Sequence, residues 1–353
     1  MMNKVNQLIE TSKEVILDCC LENGAIVAAN TDKEYYPKNV NNYRFVWPRD
    51  ISFTLYAANL LNIKNIQKPF IRWLLNRAEG FSETGIIYQR YATNGARDTC
   101  FGYQYQPDQA GALLWSLLEI CKKLDSEVKK TIKLLANGLC KNWNGKNFKI
   151  SIYDLWEERK TVPSLKDNFI YTLAACSFGL KKAYEKLGEK KWLKVSNEMK
   201  NILKKSGENY YPRLWGRIPD KRIDASVLGL VWPFNVIKKD KKLLNSIKLV
   251  KEKLLTPLGI KRYENDEYDG RIENGTHWKK GAGGWPLLTF WYIIALSKIN
   301  KKIEAKKLFN NYIKKFNKYI PEQIFDNKIQ TSVSPLCWSH AMFVIASKEL
   351  GFI

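Results

Sequence analysis

Aromatic rings, carboxylates and guanidinium groups are concentrated in six short segments that lie far apart along this sequence. The segments are residues 43–50, 106–108, 154–159, 222–224, 262–285 and 321–326, the last followed by Trp338-Ser339-His340. Proteins bind sugars with this combination, because rings stack on the sugar and charged side chains make paired hydrogen bonds to its hydroxyl groups. The segments therefore predict a carbohydrate site, provided that the fold brings them together.

Two carboxyl groups on either side of a glycosidic bond are the central requirement for hydrolysing it. One must be protonated to donate to the leaving oxygen, and the other must be ionised to activate water. Glu157 fits the acid, because burial beside Trp156 and the nearby charges of Asp154 and Glu158 would raise its pKa. Glu322 lies far away in sequence, as a partner across a pocket must, and fits the base.

Each of these residues also has a simpler interpretation when it is taken alone. Arg49 next to Asp50 is as typical of a surface ion pair or a helix cap, and Asp108 and Asp224 are good N-cap candidates. Trp285, six residues before Trp291, is typical of a helix packed in a core. What favours a binding site is the presence of all these groups in segments that the predicted fold places on one face.

Twelve helices are predicted from apolar residues that recur at i, i+3, i+4 and i+7 along the whole chain. Their ranges are 4–20, 50–62, 65–79, 108–123, 125–140, 166–186, 189–205, 223–231, 240–254, 284–298, 302–317 and 336–349. Links after the even-numbered helices are short, with a somewhat longer one after the eighth, so consecutive helices run antiparallel. Links after the odd-numbered helices tend to be long and carry the candidate residues.

This alternation of short and long links predicts an all-α fold, an α/α toroid of six inner and six outer helices. No composition break or linker divides the sequence, so residues 1–353 are expected to form a single domain. The long links then emerge on the face where the inner helices begin. Functional residues usually lie on such loops, held by a rigid scaffold.

The formal net charge of +23 raises the question of a nucleic-acid partner. The lysines form scattered pairs in or beside predicted helices, whereas binding tails usually carry blocks of five or more like charges. We therefore expect solvated helix faces and no nucleic-acid partner.

The remaining composition indicates a cytoplasmic protein without a metal or another cofactor. Its seven cysteines include no CxxC pair and are typical of unpaired thiols in a reducing compartment. Only two histidines, His277 and His340, are present, too few for a His-based metal site. The N-terminus has no apolar signal core, and the longest apolar stretch, 285–296, is short for a membrane span.

The sequence resembles glycoside hydrolase family 15, the glucoamylases and their relatives, from Asn23 to Phe352. Several ordered motifs at compatible spacing carry the resemblance, which makes it more specific than any one of them. They are Trp-Pro-Arg-Asp (47–50), Asp-Leu-Trp-Glu-Glu-Arg (154–159), Arg262-Tyr263 followed by Asp266 and Tyr268, Pro-Glu-Gln (321–323) and Pro-Leu-Cys-Trp-Ser-His-Ala (335–341). The fold of that family is the α/α toroid already predicted.

The resemblance implies a role for individual residues. Glu157 matches the general acid of the family and Glu322 its general base. Arg49 and Asp50 match the pair that grips the terminal glucose, and Asp154 matches a supporting carboxylate. The substrate-binding residues expected from the motifs and segments together are Tyr43, Trp47, Arg49, Asp50, Asp108, Asp154, Trp156, Glu158, Arg262, Trp285 and Gln323.

The expected activity is that of an inverting exo-glycosidase, which releases β-glucose from non-reducing ends of α-glucans or α-linked gluco-oligosaccharides. Trehalose and α-1,6-linked substrates stay open, because relatives hydrolyse them with the same carboxylates. A non-catalytic glucan-binding regulatory module is the alternative of another class, although having both Glu157 and Glu322 argues against it. The oligomeric state is open.

The sequence also departs from the pattern of the family. Neither the β-rich domain that precedes the toroid in many microbial relatives nor a starch-binding module is expected here. Where fungal members place a tryptophan ahead of residues 106–108, this sequence has Gly102 near Tyr103 and Tyr105. Linkage preference beyond the first glucose therefore stays open.

Overall fold

The computed structural model describes residues 2–98, 105–272 and 280–353 and is predominantly helical there. Its α-helices are α1 Met2–Asp18, α2 Pro48–Leu60, α3 Gln67–Asn76, α4 Phe81–Thr84, α5 Pro107–Ile120, α6 Ser126–Lys141, α7 Ile170–Leu187, α8 Lys190–Lys205, α9 Lys241–Leu254, α10 Pro286–Lys298, α11 Lys302–Tyr312 and α12 Cys337–Leu350. Three antiparallel ladders pair Asn168–Phe169 with Leu214–Trp215, Leu255–Thr256 with Gly259–Ile260, and Arg271–Ile272 with Gln330–Thr331. These two-residue strands leave the predicted all-α class intact.

Six helical segments pack side by side into a closed inner ring. In ring order they are α2, α5, α7, the 3-10 helix Ala225–Leu230, α10 and α12, which contacts α2 again. The inner helices are buried on almost every side, and in α10 every residue from Pro286 to Leu296 is buried. A helix that is apolar all round must be surrounded by other helices, which the ring and its outer layer provide.

The other long helices form the outer layer of the toroid. Helix α1 lies against α12, α6 against α5, α8 against α7, α9 against the 3-10 helix and α11 against α10. In α8 the buried residues recur every three or four positions from Trp192 to Leu203, whereas Lys190, Lys191 and Lys194 are exposed. This amphipathic pattern confirms the predicted inner and outer layers of an α/α toroid.

The eighth predicted helix, over residues 223–231, is the clearest departure from the expected elements. It is the short 3-10 helix Ala225–Leu230. Pro233 follows closely, and its ring prevents the helix from continuing. The one-turn helix α4, between Gly80 and Gly85, was not expected from the sequence. The other eleven predicted ranges contain α-helices whose ends lie within a few residues of the predicted ones.

Prolines begin three of the inner helices, and two of the residues that precede them, Trp47 and Trp285, line the pocket described below. Pro48, Pro107 and Pro286 take the first helical position, where their fixed φ angle suits the helix. Because α5 begins at Pro107, the prediction of Asp108 as an N-cap is wrong, and Gln106 occupies that position. Asp224 does cap the 3-10 helix, where its side chain accepts a hydrogen bond from the Ser226 N–H.

Some sequence-based expectations concern residues outside the described ranges, and others concern thiols, metal ligands and membrane spans. Cys100, Gly102, Tyr103 and His277 lie outside the described residues. The six cysteines within the described ranges carry free thiols. Over the same ranges, no cluster of three metal-ligating side chains occurs, and no helix is long and apolar enough to cross a membrane.

Candidate active site

A pocket of ≈ 730 Å³ opens on the face of the toroid where the inner helices begin. Ten of the thirteen predicted site residues line it, namely Tyr43, Trp47, Arg49, Asp50, Trp156, Glu157, Glu158, Arg262, Trp285 and Glu322. They come from chain segments up to 279 residues apart, since the hydroxyl of Tyr43 donates a hydrogen bond to Glu322. The structure therefore brings together residues from four of the six predicted segments, whereas 106–108 and 222–224 contribute no lining residue.

Glu157 sits at the tip of the 154–159 loop, with each carboxylate oxygen facing a different donor. Arg49 Nη2 lies 3.3 Å from Oε1, and the side-chain amide of Gln89 donates to Oε2. The backbone φ of Glu157 is +66°, a left-handed conformation that is uncommon for a residue with a side chain. Burial raises the pKa of the Glu157 carboxyl, and the positive charge of Arg49 opposes that shift.

The backbone of the Glu157 loop is folded around the carboxylate of Asp154. Asp154 Oδ1 accepts hydrogen bonds from the backbone N–H of Glu158 (2.9 Å) and of Arg159 (3.1 Å). Its other oxygen accepts from Arg213, which is as deeply buried as Asp154 itself. Asp154 lies behind the pocket wall, and its observed contacts are with the loop and with Arg213.

Arg213 is a functional candidate that reasoning from the sequence missed. Its guanidinium bridges Asp154 to Asp224 (3.4 Å), and Asp224 in turn accepts from the indole N–H of Trp156 (3.0 Å). The network fixes both ends of the Trp156-Glu157 dipeptide. Residue 213 follows Pro212 in an apolar stretch, so its sequence context gave no signal.

A second buried guanidinium, that of Arg262, forms another wall of the pocket. It pairs with Asp266 through two hydrogen bonds (2.9 and 2.6 Å) and with Glu158 (2.5 Å). The rings of Tyr268 and Trp285 lie 4.8 and 5.1 Å from it. Two carboxylates therefore fix the Arg262 side chain, which presents a rigid donor fork beside aromatic surfaces.

Glu322 is held by neutral hydroxyl groups. The Tyr43 hydroxyl donates to Oε1 (2.9 Å), and the Ser332 hydroxyl donates to Oε2 (3.1 Å). The Tyr43 hydroxyl also lies 2.9 Å from that of Tyr268, so this side of the pocket is a chain of hydroxyl groups. Burial raises the pKa of Glu322 to about 7, and the hydrogen bond from Tyr43 opposes the shift.

Arg49 and Asp50 lie in the first turn of α2 and connect it to the Glu157 loop. Arg49 Nε donates to Asp50 (3.1 Å), and its Nη1 donates to the backbone carbonyl of Leu155 (2.9 Å). The cap position of α2 is Trp47, which makes no side-chain cap hydrogen bond. Burial raises the pKa of Asp50 to about 6 against the opposing charge of Arg49. These contacts do not fit the helix-cap interpretation of the pair.

Asp50→Asn is expected to lower kcat/KM by about 10- to 10²-fold, the value of one charge-assisted hydrogen bond to a sugar hydroxyl. Its melting temperature should change little, because the amide keeps the size of the side chain and can still accept from Arg49. Asp125→Asn is the matched control, since Asp125 is a true cap whose side chain accepts from the Val128 N–H. A large fall in melting temperature with normal kinetics for Asp50→Asn would instead make Asp50 a structural residue.

Two other predicted residues, Asp108 and Gln323, are not brought to the pocket. Asp108 is fully buried in the first turn of α5, and its carboxyl oxygens find no hydrogen-bond partner among the described residues. Burial raises its pKa to about 7. Gln323 accepts from the backbone N–H of Gly283 (2.9 Å) and is also buried. Asp108 lies in the first turn of α5 and Gln323 in the link before α12, but both side chains turn into the protein.

The pocket also contains residues that were not singled out from the sequence. They are Asn41, Asn42, Gln89, Arg90, Tyr153 and Leu287. Arg90 packs over the rings of Phe45 (4.5 Å) and Trp47 (5.3 Å). Gln89 and Arg90 lie in the long link after the third predicted helix, so the pattern of long links was the signal that could have found them.

Comparison with known proteins gives a consistent set of relatives. The family profile described as Glycosyl hydrolases family 15 matches residues 17–323. An uncharacterized glycosyl hydrolase of Methanocaldococcus jannaschii is 29% identical, over 97% of this chain and 56% of the relative. A trehalase of Thermoplasma volcanium is 22% identical, over 78% of this chain and 46% of the trehalase. The chain thus spans about half the length of the curated relatives that it matches.

Solved structures share the architecture over the whole chain. A glycosidase variant solved in complex with glucose has a TM-score of 0.81 and 21% identity, over 100% of this chain and 98% of that chain. A bacterial glucoamylase complexed with acarbose has a TM-score of 0.69 and 20% identity, over 97% of this chain and 55% of that chain. Likeness at these identities establishes the toroid, while the profile match, which extends over most of the sequence, establishes descent. The chain therefore belongs to glycoside hydrolase family 15.

Proposed function

We propose that this protein is an inverting exo-glycosidase that releases β-glucose from non-reducing ends of α-glucans or α-linked gluco-oligosaccharides. The observation that carries the proposal is the pair of buried carboxyl groups, Glu157 and Glu322, which line one pocket with Arg49, Arg262 and Trp285. A regulatory module that only binds glucan would need the rings and hydrogen-bonding groups, but not two opposed carboxyl groups with distinct surroundings. Family membership adds the chemistry of glycoside hydrolysis.

The surroundings of the two carboxyl groups suit different roles. In the proposed mechanism Glu157 donates its proton to the glycosidic oxygen and becomes a carboxylate, which the nearby guanidinium of Arg49 stabilises. Glu322 accepts a proton from the attacking water, and the hydroxyls of Tyr43 and Ser332 hold its carboxylate in place. The active form of the enzyme therefore has Glu157 protonated and Glu322 ionised.

Exo-action is supported by the shape of the site. Its walls come from the starts of several inner segments around the ring, including α2, the 154–159 loop, Arg262, Glu322 and α12. A pocket lined by segments from five of the six positions in the ring suits the end of a chain, whereas an endo-acting enzyme needs a cleft that a chain can cross. Arg49 and Asp50 supply charged hydrogen-bonding groups for the hydroxyls of a terminal sugar.

Inversion is supported by the position of the two carboxyl groups in the ring. Glu157 precedes α7 and Glu322 precedes α12, and these two helices are three places apart in the ring of six. Inverting enzymes keep their carboxyl groups roughly 6.5–9.5 Å apart to leave room for a water, whereas retaining enzymes keep them roughly 5–5.5 Å apart. Side chains that reach in from opposite walls favour the wider separation.

The stereochemistry of the first product tests the mechanism as a unit. An α-linked substrate is expected to release β-glucose first, because water attacks the face opposite the leaving group. NMR of the anomeric proton during early turnover, before mutarotation, distinguishes the two anomers. Initial release of α-glucose, or a glycosyl ester trapped on either glutamate, would contradict inversion even with the fold unchanged.

The pH dependence with α-glucosyl fluoride tests the raised pKa of Glu322. Fluoride leaves without protonation, so this substrate requires only that Glu322 be ionised. Because the folded-state pKa is about 7, kcat/KM should fall about tenfold per pH unit as the pH drops below about 7. Tyr43→Phe removes a hydrogen bond that lowers this pKa, so it should move the acidic limb of the pH profile of kcat/KM to higher pH. A limb near the ordinary value of 4.5 would show that Glu322 is not perturbed.

Trehalose is the second candidate substrate, because trehalases of two organisms are among the relatives. The same carboxyl groups would serve it, and α-1,6-linked sugars likewise. The aglycone then has to be accommodated by the pocket residues outside the motifs, such as Asn41, Asn42, Arg90 and Tyr153. Kinetics on maltose, isomaltose and trehalose side by side would select among these linkages.

A cytoplasmic location is part of the same proposal. It is supported by the free thiols of the cysteines in the described ranges, since unpaired cysteines are typical of reducing compartments. Fractionation of the native host and detection of the protein in each fraction would test it.

A further inference from the structure

The side-chain amide of Gln89 is the group in contact with Glu157 that neither the motifs nor the family resemblance assigned. Its Nε2 donates to Glu157 Oε2, while Arg49 Nη2 approaches Oε1 at 3.3 Å. Gln89 is only 8% exposed and lines the pocket. Two donors on the two oxygens of one carboxyl group define the plane of that group.

The two donors differ in charge, which gives the two oxygens of Glu157 different properties. The guanidinium of Arg49 is positively charged and disfavours a proton on the oxygen that it faces. The amide of Gln89 is neutral, so it restrains Oε2 without the same penalty for protonation. An oxygen that accepts one hydrogen bond from an amide can still carry a proton and donate it elsewhere.

The backbone around Gln89 is fixed by a buried glutamine at the start of α5. Gln109 is fully buried, and its Nε2 donates to the backbone carbonyl of Gln89 (2.7 Å). Its Oε1 accepts from the backbone N–H of Arg49 (3.0 Å). One side chain therefore ties together the two segments that supply the donors to Glu157.

The acid loop is attached to the same helix start. Gln106 Nε2 donates to the backbone carbonyl of Asp154 (2.6 Å), and Gln106 Oε1 accepts from Gln109 Nε2 (2.5 Å). Gln106 and Gln109 thus fix the positions of the Glu157 loop, the Gln89 segment and the start of α2 relative to one another. Such a supporting shell is what keeps a catalytic group within a fraction of an ångström of its productive geometry.

We propose that Gln89 is a positioning residue that fixes the carboxyl plane of Glu157 and directs its proton to Oε2, the oxygen that then faces the leaving group. The inference rests on the proposed function, in which Glu157 is the general acid. Gln89 acts through Glu157 and takes no part in bond breaking. Without it, the carboxyl group can rotate about its last side-chain bond while Arg49 holds one oxygen.

Gln89→Leu tests this role, because leucine has a similar size but cannot donate. We expect kcat for the best substrate among maltose, isomaltose and trehalose to fall by about 10- to 10²-fold, the cost of misplacing a catalytic group. With α-glucosyl fluoride, which needs no proton from Glu157, the loss should be under about threefold, well below the factor for general acid catalysis. Gln7→Leu, an exposed position on α1, is the matched control and should behave as wild type.

The pH profile supplies a readout that loss of packing alone would not move. Ionisation of Glu157 produces the basic limb of the pH profile, which should be present with the natural substrate and missing with α-glucosyl fluoride. The Gln89 hydrogen bond lowers the pKa of Glu157, so Gln89→Leu should shift that limb to higher pH. Equal losses on both substrates, a change in KM alone, or an unmoved limb would overturn the inference.

Failure of this inference and failure of the proposed function give different results. If Glu157→Gln loses activity while Gln89→Leu matches wild type on every substrate, the function stands and Gln89 has no positioning role. If the wild-type protein hydrolyses none of the α-glucosides, or Glu157→Gln remains fully active, the proposed function itself fails.

Discussion

Replacing Glu157 by glutamine is expected to lower kcat on the preferred α-glucoside by at least about 10²-fold, the low end for general acid catalysis. The amide has the size of the carboxyl group but no acidic proton, so the leaving oxygen departs unprotonated. Its oxygen can still accept from Arg49 and its nitrogen can face Gln89 after a rotation of that amide, so the loop should keep its fold. Steady-state kinetics with purified protein measure the loss.

The leaving group of the substrate separates acid catalysis from other roles of Glu157. α-Glucosyl fluoride does not require protonation, so Glu157→Gln should retain much of its activity on it. Glu14→Gln, an exposed position on α1, is the matched control for the loss of one carboxylate. Equal losses on both substrates would remove Glu157 from the acid role and leave it as a binding residue.

Glu322→Gln is expected to lower kcat by at least about 10²-fold on both kinds of substrate. The water must be deprotonated whatever the leaving group is, so the loss of activity on α-glucosyl fluoride should be as large as on the natural substrate. Tyr43 and Ser332 can both still donate to the amide oxygen or accept from its nitrogen, which should preserve the local fold. Circular dichroism and melting temperature check that the variant is folded.

The two variants together assign the roles, because they predict opposite patterns. Activity on the fluoride should survive the loss of Glu157 and not the loss of Glu322. If α-glucosyl fluoride were instead hydrolysed well by Glu322→Gln and poorly by Glu157→Gln, the acid and base would have to be exchanged. Such a result would also connect the Glu322 pKa of about 7 with proton donation.

The architecture could be predicted from local patterns in the sequence. Apolar residues every three or four positions marked the helices, and the alternation of short and long links predicted the two layers. The predicted helix 223–231 is in fact a short 3-10 helix, because the Asp224 cap and Pro233 limit it at its two ends. Apolar periodicity alone therefore predicted too long a helix there. The motifs likewise predicted pocket positions for Arg49, in the first turn of α2, and for Glu157, Arg262 and Glu322, which lie in the long links that precede α7, α10 and α12.

What only the tertiary structure decided is which side chains face one another, and this follows from contacts between distant segments. Gln89 was marked only by its place in a long link and Arg213 by nothing in its sequence context, yet Gln89 contacts Glu157 and Arg213 contacts Asp154. Asp108 begins an inner helix as the motif residues do, but burial turns it away from the pocket. The sequence determined that two glutamates would share a pocket, whereas the raised pKa of Glu322 depends on how completely that pocket excludes water, which no spacing of residues encodes.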